Sequence, residues 1–144
     1  MEIIALAISI LALVVSFFFS FFTFITNRVN KFNEHITELD RIMVNHPELL
    51  YIYNDDEIEK RRSDELFFNK ISAFIYLHFN IFENVYLQGL SKKFLFLKDR
   101  NIWDNFIISI FKSKLVNEIW EQNRSLYDKS FTEYVDKLRQ IGSL

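Results

Sequence analysis

The sequence predicts an all-α protein, an N-terminal transmembrane helix continuing into a cytoplasmic helical bundle. Three observations carry this. With two Gly and one Pro in 144 residues, the chain is poor in turn-makers. Its apolar positions recur at steps of three and four, the helical period, and show no strand-like alternation. Finally, an uncharged run of 23 residues, 3–25, stands near its start. Seventeen Phe supply apolar area for one core of about 110 to 120 residues beyond that run, too little for a second domain. The expected organisation is a transmembrane helix at 1–26, a continuous juxtamembrane helix at 27–46, and a cytoplasmic helical domain at 47–144.

As a helix the uncharged run reaches about 34 Å, enough for a hydrocarbon layer of about 30 Å. A cleaved secretory signal fits less well. The run is too long for an h-region, and Glu2 stands where such a signal carries Lys or Arg. Positive charge follows the run at Arg28 and Lys31, and basic flanks stay on the cytoplasmic side. This places the N-terminus outside and the rest in the cytoplasm. Within the run, Ala5, Ser9, Ala12, Ser16, Ser20, Thr23, Asn27 and Asn30 recur at steps of 4, 3, 4, 4, 3, 4 and 3, so they share one small, polar face. Phe17, Phe18, Phe21, Phe22 and Phe24 cover much of the remainder. Hydroxyls in hydrocarbon can bond back to carbonyls four residues earlier. Such a face lets two helices approach closely, or it turns toward water in a ring of helices.

Val29, Phe32, Ile36, Leu39 and Met43 then form an a/d seam in phase with the first segment, predicting one helix of about 40 residues. It should end near His46, because Pro47 drives the preceding residue out of helical dihedrals. A short helix, PELLYIY, follows with Pro47 at its first position. NDDEIEKRRSDE reads as a solvated loop or helix start. From 63 to 88, Phe67, Ile71, Phe74, His78, Ile81 or Phe82, and Val85 mark the central helix, with Gly89 as its C-terminal cap. NIWDNFIISIF uses Ile102, Trp103, Phe106, Ile107 and Ile110. Ser113 caps KLVNEIWEQN. In SFTEYVDKLRQIG, Ser130 and Glu133 fit a capping box and Gly142 closes the pattern. Trp103, Trp120, Tyr127, Phe131 and Tyr134 read as core aromatics.

Composition removes most chemistry. A formal charge of −2 gives no global attraction to nucleic acid, so direct DNA binding is not expected. Without Cys there is no disulfide, thiolate site or Cys nucleophile. His35, His46 and His78 stand too far apart for a metal-binding pair, and two Gly cannot build a phosphate loop. Neither metal nor cofactor is expected. His78 on its apolar stripe reads as a hydrogen-bonded core side chain, with Asn80 and Glu83 as a buried polar network on another face. What remains is Arg followed by His after four to six residues: Arg41 with His46, and Arg28 with His35. In helical RNases of the HEPN class, the Arg of such a pair holds the scissile phosphate while the His moves a 2′-hydroxyl proton.

Taken together, the span, the short helical part and the divergent Arg-X4–6-His motif at Arg41 and His46 resemble the membrane-anchored accessory proteins of type VI-B CRISPR systems. That resemblance implies a ring-shaped homo-oligomer in the bacterial cytoplasmic membrane. There it acts without catalysis, depolarising the membrane and supporting the antiviral defence of an effector nuclease. A looser similarity, carried by Pro47 to Leu49 and by Trp120, Tyr127 and Phe131, is to single-span bacterial proteins of open function. A ring requires lipid on one side of each protomer and water on another, which large Phe and small hydroxyls would meet. The expected pore-lining residues are thus those of the polar face. The alternatives are an RNase with a composite Arg41 and His46 site, and a membrane-tethered scaffold.

Overall fold

The structure, a computed structural model, describes residues 2–88 and 97–142, and within them all side chains except those of 2–5, 7, 8, 25, 28, 29, 32, 88 and 97–100. Every regular element among them is helical, so the class is all-α as expected. Helices α1 (Glu2–Asn45), α2 (Asp55–Lys60), α3 (Glu65–Gln88), α4 (Leu97–Ile110), α5 (Lys114–Asn123) and α6 (Lys129–Gly142) follow in order. Two 3-10 segments, Pro47–Tyr53 and Arg124–Leu126, lie after α1 and α5. The chain divides into two compact units, Met1–Glu38 and Leu39–Leu144.

Unit one is the greater part of α1, which runs unbroken to Asn45. Among the described residues no helix is long and apolar enough to cross a membrane. What the fold establishes is therefore the all-α class, and not the transmembrane helix expected at 1–26.

In unit two the end of α1 falls where Pro47 requires it. His46 leaves helical dihedrals at φ −135° and ψ 70°, and Pro47 opens a 3-10 segment that buries Leu49 and Ile52. Leu39 is buried within this unit and Met43 is half-buried. The lower seam is thus used inside one chain rather than left for a neighbour; Val29 and Phe32 lie outside the described side chains. The charged stretch after Tyr53 contains α2, capped by the Asn54 side chain accepting from the Glu57 N–H at 3.3 Å. Its Ile58 is buried, which the charged sequence around it conceals.

Helix α3 is the centre of the core. Phe79 stacks on Phe111 at 5.7 Å between ring centroids and meets the edges of Trp120 at 5.2 Å and Tyr127 at 6.0 Å. Phe82 meets Trp103 edge-on at 5.2 Å. Aromatic pairs in such geometry add about 0.5 to 1.5 kcal/mol each beyond their area. Trp103, Trp120, Phe131 and Tyr134 are buried and Tyr127 half-buried, as expected of core aromatics. Ile102 departs from expectation: it is 56% exposed on the outer face of α4. Gly89 lies outside the described residues.

Two caps differ in chemistry from their prediction. Ser113 does precede α5, but its hydroxyl caps nothing; it donates to Asp55 Oδ1 at 3.2 Å, and that same oxygen accepts from the Lys114 N–H at 2.9 Å. The cap is borrowed from α2. At α6 the capping box of Ser130 and Glu133 is replaced by Asp128, whose Oδ1 accepts from the N–H groups of Ser130 at 2.8 Å and Phe131 at 3.3 Å. A carboxylate accepts more strongly than a hydroxyl and favours the positive helix N-terminus. Gly142 ends α6 against α4, where an added Cβ would stand 2.8 Å from Ile108 Cγ2.

Candidate functional site

At about 100° per residue, Ala5, Ser9, Ala12, Ser16, Ser20, Thr23, Asn27 and Asn30 fall within an arc of about 80°. Because α1 is continuous through all of them, this arc is a single face. Every described member, from Ser9 to Asn30, is exposed; the side chain of Ala5 lies outside the described residues. Ser16, Ser20, Thr23 and Asn27 line a shallow open groove edged by Phe19 and Phe24. Thr23 Oγ1 donates to the Phe19 carbonyl at 2.8 Å, the back-bond that makes a hydroxyl tolerable in apolar surroundings. The arc extends further than expected. Glu34 and Glu38 continue it at the next two steps of four, and no large apolar residue enters it along the whole length. The same periodicity could have revealed this.

Around the rest of that helix, all twelve described Leu, Ile, Val and Phe side chains of residues 6–24 are between 40% and 71% exposed. Leaving a large apolar side chain in water instead of burying it forgoes about 1.5 to 3 kcal/mol. At this partial exposure the twelve forgo roughly 10 to 20 kcal/mol, comparable with the typical 5 to 15 kcal/mol stability of a whole domain. This surface requires an apolar cover.

At the second candidate, His46 meets side chains that the Arg-X4–6-His pattern does not include. Arg41 is exposed on α1, and His46 stands just past the helix end. The His46 Nδ1 lies 3.1 Å from Lys70 Nζ and 3.6 Å from Glu48 Oε1. Lys70 also pairs with Glu48 and, by that hydrogen bond above all, holds its carboxyl below the usual range. Lys70 lies 24 residues from His46, so nothing local in the sequence announces the contact. Arg28 lies outside the described side chains, and His35 is half-buried.

His78 is fully buried. Its Nδ1–H donates to the Phe74 carbonyl at 2.8 Å, and the Phe74, Phe82 and Phe106 rings surround it. Its Nε2 has no hydrogen-bond partner. The polar network expected beside it does not exist as a buried one. Asn80 is exposed, and Glu83 accepts from the Asp128 N–H at 2.6 Å on the surface. Among the described residues, no three His, Asp or Glu stand together as metal ligands.

The described residues form a helical protein whose first helix carries a polar arc and an exposed apolar remainder. Compared with known proteins, the chain matches no family model, no curated protein and no solved structure.

Proposed function

We propose that α1 crosses the bacterial cytoplasmic membrane once, N-terminus outside, and that several copies close into a ring whose axis is lined by the polar arc. The ring conducts ions and depolarises the membrane. The observation carrying this reading is the division of α1 into two surfaces: a narrow polar arc, and an apolar remainder too large to leave in water. Lipid covers the remainder at no desolvation cost, while hydroxyls and amides meet water at the axis. The uncharged run of 23 residues supports the span, and Arg28 and Lys31 support the orientation. A role in antiviral defence beside an RNA-guided nuclease rests on the resemblance to the type VI-B accessory proteins.

Purified protein in liposomes tests this reading. The wild type is expected to dissipate an imposed potential, whereas Ser16→Leu with Ser20→Leu assembles but conducts at least about tenfold less, since two leucines per protomer dewet a narrow pore. Unchanged flux in that variant overturns the reading.

A further inference from the structure

We propose that the cavity between α4, α5 and α6 binds a phosphate monoester, carried by a soluble molecule or by a lipid headgroup. The cavity holds about 630 Å³. Ligand sites run from about 300 to 1,000 Å³, so a phosphate fits there together with part of the group it is attached to. Ile108 and Phe111 give the cavity its apolar wall, and Lys112, Arg124, Arg139 and Asp136 its charged one. The chain as a whole carries a formal charge of −2, yet three cations stand here.

The two arginines are held in place. Arg139 Nε donates to Asn117 Oδ1 at 3.0 Å, its Nη1 donates to Glu121 Oε1 at 2.6 Å and to Asp136 Oδ1 at 3.3 Å, and its guanidinium carbon stands 5.5 Å from the centre of the Phe111 ring. Asn117 is fixed in turn, its amide donating to the carbonyls of Phe111 at 2.6 Å and Ser113 at 2.8 Å. Arg124 donates to Asp136 and lies 3.5 Å from Glu121 Oε2. Two carboxylates thus balance two guanidiniums. Lys112 is the surplus charge: it is exposed, and among the described residues no carboxylate pairs with it. A surplus ammonium beside two preset planar N–H forks suits an anion with several oxygens around one centre, because each oxygen can take a separate donor. A phosphate monoester has three such oxygens and a charge of about −1.5 to −2 at pH 7. A tie between α5 and α6 needs only the arginines, so Lys112 is the residue that separates a ligand site from a structural tie.

Calorimetric titration of the full-length protein in uncharged detergent and phosphate-free buffer reads this site. Phenyl phosphate is the soluble probe and is expected to bind saturably, with a dissociation constant of about 1 mM or below. Lys112→Gln should weaken it at least about tenfold, the worth of one charge-assisted hydrogen bond, with an unchanged melting temperature. Lys129→Gln removes the same charge from α6 outside the cavity and should bind as the wild type does. Benzoate, with the same ring but a carboxylate, should bind more weakly than phenyl phosphate. Phosphatidic acid in the micelles offers the group on a lipid: it displaces phenyl phosphate if the source is a headgroup and leaves it bound if the source is soluble. No saturable binding of phenyl phosphate up to about 10 mM, equal binding in Lys112→Gln and wild type, an equal loss in Lys129→Gln, or benzoate binding as tightly, overturns the site. None of these results depends on pore activity.

Discussion

At the residue scale, the imidazole of His78 couples the core to pH. Burial among phenyl rings lowers it from 6.5 to about 4, opposed by the Phe74 carbonyl. The unfolded chain therefore takes up this proton as pH falls below about 6.5, while the folded chain refuses it until about 4. Stability is complete above that window and declines through it, by on the order of 3 kcal/mol. Chemical denaturation at stepped pH should show this decline in the wild type and a markedly flatter profile in His78→Leu. The apolar stripe made the burial of His78 legible in the sequence. Its partner Phe74 could be read too, since a buried helical side chain often bonds back four residues. The hand-over of the α5 cap to Asp55 could not, because 59 residues separate donor and acceptor. Asp55→Ala should accordingly cost about 1 kcal/mol and lower the melting temperature by about 4 °C. Ser113→Ala, whose hydroxyl only donates to Asp55, should cost clearly less in the same melt.

At the element scale, periodicity located the helices and their inner faces, and Pro47 fixed where α1 ends. Both signals are local. What periodicity missed lies across space: Ile58 is drawn inward although charges flank it, and Ile102 faces outward although its spacing suits the core. Leu39 belongs to the same class, since a seam residue looks alike whether its partner is its own chain or another copy. Glycine at 142 shows how closely two elements approach. An added methyl there meets a branched, stiff Ile108 side chain at 2.8 Å. Gly142→Ala should thus destabilise by about 1 to 3 kcal/mol through overpacking of α6 on α4. Thermal melts of Gly142→Ala, Ile108→Ala and the double variant check this. The double variant should lose less than the sum of the singles, because each change removes the other's conflict.

At the scale of the whole molecule, one unit buries its apolar side chains and the other displays them. The helical unit has an aromatic core around α3, and side chains of Asn54, Asp55 and Asp128 cap the starts of α2, α5 and α6. Among the described side chains of the first 38 residues no such core forms, and the proposed ring would cover their apolar surface with lipid and further copies. Its polar arc was fully legible in the sequence, since a straight helix adds nothing to the period beyond continuity. The assembly is another matter, because a helical period gives the direction of a face and not what it meets. The chain has no cysteine, so single cysteines can be placed along α1 without background. Labelling by a membrane-impermeant, water-soluble thiol reagent in intact membranes then reads the face directly. Ser16→Cys and Ser20→Cys should react while Phe18→Cys and Phe22→Cys stay protected; reaction at the phenylalanine positions with silence at the serines would contradict the ring.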